Sequence, residues 1–271
     1  MADPVEVLAA QHGGARWKLL TERGVSSSQL AAALRKGRVV RFGYGVYGLP
    51  GISKTRVETL RHGGTVACLS AAQERGFWVL IPPDLPHIAL DRGEPTPGFI
   101  RHRAKLPLSD SDVVIQVLRC ADEVQALVVL TSAVRQSRVS LSELLQRLKG
   151  KRDAKLRALI RRCDPHAESA LEVASRFHLE NAGFVVASQV YLPGLGRMDQ
   201  YIDHALALEL MGKQYHLNDR AFAEDLRRFN LYTVAGVPVL RVGFAVVVYR
   251  PEEFIALVGR AMETVQARSV H

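Results

Sequence analysis

Three strand-length runs follow one another late in the chain, and they constrain its fold more than any other feature. Phe184–Val190, Gly196–Ile202 and Leu206–Met211 are rich in residues that suit a pleated, half-buried surface and are separated by short turns such as Pro193-Gly194. An amphipathic helix, Glu168–Ala182, precedes them, with Gly183 just past its end. A second helix, Phe222–Ala235, separates them from a buried strand at Val237–Val242, and Pro251-Glu-Glu-Phe254 opens a last helix. The order α-β-β-β-α-β-α can bury its apolar faces as a mixed sheet flanked by helices. Residues 166–271 are therefore predicted to form a domain of their own in an α/β (α+β) protein.

The first fifty residues have a different grammar. Pro4–Gln11 and Trp17–Arg23 read as short helices, stopped by Gly13-Gly14 and by Gly24. Ser26-Ser-Ser28 supplies an N-cap for a third helix that runs to Lys36 and stops at Gly37. Val39, Phe42, Tyr44, Val46 and Tyr47 then bracket Gly43 and Gly45, which reads as a two-stranded hairpin. Helices followed by a hairpin make a winged helix-turn-helix over residues 1–50. In such a domain the start of the third helix, Ser27, Ser28 and Gln29, can reach base edges. Arg35, Lys36, Arg38 and Arg41, at the end of that helix and the start of the wing, would contact phosphates. A winged helix used for protein contacts has the same local pattern.

Residues 51–165 form the third expected part, a mixed middle domain. Val66–Glu74, Val113–Cys120, Val124–Gln136 and Leu141–Leu148 read as helices, and Phe77–Ile81 and His87–Leu90 as strands. A basic helix from Gly150 to Arg162 closes this part. Together with Arg147 and Lys149 it makes the densest run of positive charge, suited to a nucleic-acid backbone or to a solvated helix face.

The net charge of +9 favours a polyanionic partner, for which double-stranded DNA is the expectation. No apolar run is long enough to span a bilayer: Val237–Tyr249 is the longest candidate, and Arg241 interrupts it. Met1–Glu6 lacks the positive region and apolar core of a signal peptide, so a cytoplasmic protein without a membrane partner is expected. The cysteines Cys68, Cys120 and Cys163 are far apart in no metal-like spacing, which predicts buried or free thiols in a reducing compartment.

Two acids stand out. Asp199 follows Pro193-Gly-Leu-Gly-Arg-Met198, and Glu209 closes the apolar run Ala205–Leu208. Acids on consecutive strands can hold a divalent ion by oxygen, as Mg²⁺ prefers; a structural ion pair is the alternative. Two residues on from Glu209 stands Met211, whose thioether is a poor ligand for a hard cation. If the strand continues through Gly212, Lys213 shares the face of Glu209 and Met211. His216 and Arg228 follow, suited to be a phosphate neighbour and an electrostatic clamp.

Two resemblances gather these residues. The glycine pair after the first helix, Gly24-Val25-Ser26 and Gly45-Val46-Tyr47 resemble the winged-helix region of AbiEi-type antitoxins. The middle continues that likeness through Gly64–Ala72 and Ala126–Ala133. Glu168-Ser169, Asp199, Glu209, Gly212, His216, Asp225, Arg228 and Val239-Leu-Arg241 look like the very-short-patch-repair (Vsr)-like branch of the PD-(D/E)xK nuclease superfamily. The second resemblance implies a Mg²⁺ (or Mn²⁺) site on Asp199 and Glu209, completed by Glu168, and endonuclease activity on DNA, in phage defence or restriction. Lys213, His216 and Arg228 would be its further catalytic residues. Met211 departs from the lysine or aspartate of that pattern. The first resemblance implies a non-enzymatic regulator partnered by a cognate toxin, in which a degenerate nuclease fold persists.

Overall fold

The computed structural model describes residues 2–90, 97–212, 227 and 230–269. The protein is mixed α/β, as expected, and folds into two compact units. The first comprises Met1–Phe77 and Ile81–Ala121, and the second Trp78–Leu80 and Asp122–His271. The expected boundary near residue 50 falls within the first unit and that near residue 165 within the second. Among the described residues no helix is long and apolar enough to cross a membrane.

The first unit begins with α1 (Pro4–Ala10), capped by Asp3, whose carboxylate accepts the Val5 N–H at 3.0 Å. β1 (Gly14–Arg16), α2 (Trp17–Glu22), α3 (Ser27–Arg35), β2 (Val40–Gly43) and β3 (Val46–Gly48) follow. The strands form an antiparallel sheet in the order β1-β3-β2. Leu8, Leu20, Val25, Leu30, Ala33 and Val39 make the core beneath it. This is a winged helix-turn-helix arrangement, with β1 as an addition to the expected elements. Gly14 pairs with Gly48 in that strand, and glycine suits the position because a Cβ there would collide with Ile52.

The same unit continues through α4 (Lys54–Arg61), β4 (Thr65–Val66), α5 (Cys68–Glu74), β5 (His87–Leu90), β6 (Ile100–Arg103) and α6 (Asp110–Cys120). The second sheet has the order β4-β5-β6, antiparallel then parallel. His87 pairs with Ile100 and Ala89 with His102, so the two histidines share one face of the sheet. At α6, Ser109 and Asp112 form a reciprocal capping box.

The second unit contains α7 (Glu123–Arg135), α8 (Leu141–Arg147), α9 (Ala154–Arg161) and α10 (Ala170–Asn181). β7 (Val186–Leu192), β8 (Gly196–Ile202), β9 (Leu206–Met211), β10 (Val239–Gly243), α11 (Phe244–Tyr249) and α12 (Pro251–Ser269) complete it. The sheet order is β10-β9-β8-β7, antiparallel except for the β9–β10 pair. α10 packs on β7 and β8, and the fully buried Gln200 bridges them: it donates to the Glu172 carbonyl and accepts from Ser175 Oγ. Of the expected Phe222–Ala235 helix, residues 227 and 230–234 are described and helical.

One expectation is corrected. Phe77–Ile81 is not a strand. Its backbone finds side-chain partners on α7: Trp78 N–H donates to Ser132 Oγ at 2.9 Å and Leu80 N–H to Gln125 Oε1 at 2.7 Å. A segment so satisfied needs no ladder.

Candidate functional site

The winged helix presents a cationic edge. Arg35, Lys36, Arg38 and Arg41 are all exposed. Arg38 lies 3.5 Å from Asp3, an exposed and weak pair. At the start of α3 the side chains divide their tasks. Gln29 is engaged in a capping box, its Oε1 accepting the Ser26 N–H at 2.8 Å while Ser26 Oγ accepts the Gln29 N–H. Ser28 and Ser26 share a hydroxyl hydrogen bond of 3.0 Å, and Ser27 is exposed. The wing turns through Gly43, Tyr44 and Gly45, all at positive φ, which lifts Tyr44 to 79% exposure at the tip. Arg61 braces it from α4, donating to the Phe42 carbonyl at 2.6 Å with its guanidinium 5.9 Å from the Tyr44 ring centroid.

Further along the chain the basic run splits in two. Arg157 donates to the carbonyls of Leu148 and Gly150, and Arg162 stacks on Phe177 and pairs with Glu180, so both hold the fold. Lys149, Lys151, Arg152, Lys155 and Arg161 face solvent.

Asp199 sits where β8 loses both neighbours. Towards β7 the ladder pairs Ser188 with Gln200 and Val190 with Met198, and skips the position between, where Gln189 takes a left-handed φ of 54°. Towards β9 it ends at Gln200–Leu208. One further step of that register sets Asp199 opposite Glu209. The Asp199 carboxylate accepts the Leu210 N–H at 2.8 Å, in place of a backbone carbonyl of β8. Glu209, beside Arg241 in the β9–β10 ladder, accepts from Tyr232 Oη at 3.2 Å. Met211 ends β9, half-buried.

Sequence reasoning named Glu168 as the third acid, and the fold employs it elsewhere. It is exposed ahead of α10, clasped by Arg197 at 3.0 and 2.6 Å, with Arg135 at 3.4 Å. The acid that feels Asp199 is Glu172, one turn inside α10 and buried. Burial pushes its carboxyl above the usual range, and the Asp199 charge adds to that. Hydrogen bonds from Glu168 N–H, Gln189 Nε2 and Ser169 Oγ work in the opposite direction. The sequence signal for Glu172 is Ser169 three residues earlier, a capping pattern that hides a buried acid. Lys213, His216, Asp225 and Arg228 lie outside the described residues.

A second cluster, absent from the sequence reading, is in the first unit. Cys68, His87, His102 and Cys120 bring one ligating atom each to within 4.8 Å of all the others. Each comes from a different element. Cys68 is the first residue of α5, His87 opens β5, His102 lies in β6 and Cys120 ends α6. His87 Nδ1 is 3.0 Å from His102 Nε2 and 3.9 Å from Cys120 Sγ. Burial, reinforced by the neighbouring His102, pushes His87 down to about 4, and burial lowers His102 as well. Both shifts favour the neutral ring over the charged one. Burial, with the nearby Cys120, pushes the Cys68 thiol up. All three cysteines are free thiols, as expected. Spacing among cysteines alone could not reveal that two of them meet at a pair of histidines. The signal available was a histidine opening the apolar strand His87-Ile-Ala-Leu90.

Compared with known proteins, the chain matches no family model and no curated protein sequence.

Proposed function

We propose that this is a DNA-binding protein whose winged helix grips duplex DNA and whose second unit is a Mg²⁺- (or Mn²⁺-) dependent endonuclease. The observation that carries the reading is the exposed cationic edge of Arg35, Lys36, Arg38 and Arg41 beside a braced wing with an aromatic tip. Phosphates would bind the arginines and lysine, while Ser27 and the wing tip approach the grooves. Ser28 and Gln29, held in the helix cap, would act through the pose of α3.

The acid set fits a hard divalent ion, since Asp199 and Glu209 offer oxygen donors where the ladders part. They would hold the ion with Glu172 behind them; when bound, it would activate water and neutralise charge developing on a phosphodiester. The chain's own part is to fix the two carboxylates through Leu210 and Tyr232 and to keep Glu172 dry.

A second reading is a non-enzymatic regulator, with a toxin as partner and the nuclease fold kept as a platform. The same two hydrogen bonds favour it, because they give both acids structural work, and so does the thioether of Met211.

The test of DNA binding is a salt titration of duplex affinity. Replacing Arg35, Lys36, Arg38 and Arg41 with serine should weaken binding and reduce the log–log salt slope by about 0.9 for each phosphate that is no longer neutralised. Unchanged affinity and slope would remove the winged helix from the DNA interface.

A further inference from the structure

We infer that Cys68, His87, His102 and Cys120 form a structural zinc site. Four side chains of metal-ligating type, from two helix ends and two strands, meet within 4.8 Å. Hydrogen bonds within the cluster, His87 with His102 and Cys120 with His87, hold these soft donors face to face.

The spacing also suits the ion. With Zn–N near 2.0 Å and Zn–S near 2.3 Å, a tetrahedron has edges of about 3.3–3.8 Å. The 3.0 Å between the histidine nitrogens and the 3.9 Å from His87 to Cys120 lie on either side of that range, with all four ligating atoms within 4.8 Å. Two thiolates and two imidazoles are the donor set of tetrahedral zinc, softer than Mg²⁺ or Ca²⁺ accept.

The surroundings orient the ligands. Cys68 adopts a left-handed φ of 49°, a conformation that a non-glycine residue rarely takes, and its N–H is held by Gln116 Oε1 at 2.9 Å. Gln116 stands one helical turn before Cys120, so one side chain ties two ligand segments together. The His87 N–H donates to Ser70 Oγ at 2.9 Å. Beside the cluster lies a hollow of about 340 Å³ lined by His102, Cys120, Gln116, Arg101, Arg103 and Arg119, with no carboxylate among the described lining residues. The hollow brings two of the four ligands, His102 and Cys120, to a wall that also carries three guanidinium groups, whose charge two thiolates would offset. With all four positions filled by protein the ion has no open position for substrate, so its role is to pin α5, β5, β6 and the end of α6.

The test uses tag-free protein purified under reducing conditions without chelator. Elemental analysis should find one zinc per chain. Exchange for Co²⁺ should give ligand-field bands in the visible and a sulfur-to-cobalt charge-transfer band in the near ultraviolet. Cys120→Ser should weaken Co²⁺ binding by more than the 10–100-fold typical of removing an outer-shell partner. In the Cys68→Ser/Cys120→Ser double variant, where Cys163 remains, the charge-transfer band should vanish. Wild-type protein that holds no zinc and gives no cobalt–thiolate band overturns the proposal without any variant having to fold. A Cys68–Cys120 disulfide in the protein as isolated, or a charge-transfer band that survives in the double variant, overturns it as well.

Discussion

The Cys68–His87–His102–Cys120 cluster of the first unit and the Glu172–Asp199–Glu209 group of the second suit opposite kinds of ion. The first offers soft sulfur and nitrogen, and its ligating atoms have one another as neighbours. The second offers hard oxygen, and each carboxylate also receives a hydrogen bond from the protein. An ion arriving at the first cluster would replace hydrogen bonds that the ligands make to one another. A group of acids already bonded to backbone and side chain has order without one. Ligand type and ligand availability are thus separate properties of a cluster.

Removing metal from the soft cluster should have the strongest consequence. Stripping the protein with a zinc-selective chelator should lower the melting temperature of the first unit, and Zn²⁺ but not Mg²⁺ should restore it. Structural zinc contributes about 10 kcal/mol or more in small zinc-dependent folds. The winged-helix core stands apart from the cluster, so a smaller loss is expected here. Even about 3 kcal/mol moves the midpoint of a domain of this size by roughly 10 °C or more. Calorimetry with and without chelator reads this directly, and superimposable curves would erase the distinction between the two clusters.

Next in size is the hard side. If the second unit cleaves DNA, Asp199→Asn and Glu209→Ala should each slow Mg²⁺-dependent plasmid cleavage by about 10²-fold or more, the scale of removing one transition-state interaction. Wild type that leaves plasmid intact in both Mg²⁺ and Mn²⁺ would turn the acid group into a structural one. Met211→Asp adds an oxygen donor at the end of β9 and should tighten Mg²⁺ binding measured by calorimetry, provided the ion sits between Asp199 and Glu209. An unchanged affinity would place the ion elsewhere.

The two clusters also differ in how far the sequence disclosed them. Asp199 and Glu209 could be found because a strand alternates and an acid ending an apolar run is conspicuous. The winged helix was legible for a similar reason: Ser26 caps α3, and Gly43 and Gly45 bend the wing, all through local chemistry. Glu172 was not legible, because Ser169 and Glu172 form an ordinary capping pattern. Only the fold shows that the carboxylate turns inward towards Gln189 and feels Asp199. The cysteine–histidine cluster was hidden by distance along the chain. Its register depends on a parallel pair, β5 with β6, and no local rule brings Ala89 opposite His102. Phe77–Ile81 failed in the opposite sense: its apolar pattern is that of a strand, but Ser132 and Gln125 take up its N–H groups.

The smallest expected effect concerns Glu172 and tests the hard site without any cleavage assay. Burial raises its folded-state pKa above the ordinary carboxylate value, and the charge of Asp199 adds to that. An acid raised in this way binds its proton more tightly folded than unfolded. Its contribution to stability is therefore fully present below the unfolded pKa and is lost as pH rises through the folded one. In metal-free buffer the wild type should lose a few degrees of melting temperature across that window relative to Glu172→Gln, which cannot ionise there. Asp199→Asn removes one of the two causes and should shrink the difference without abolishing it, because burial remains. Mg²⁺ bound beside Glu172 would oppose the charge of Asp199, so adding it should flatten the wild-type slope. Zn²⁺ chelation should leave that slope unchanged, because the soft cluster involves none of these groups. A wild-type profile parallel to that of Glu172→Gln at every pH would mean that Glu172 is not raised, and its coupling to Asp199 would fall with it.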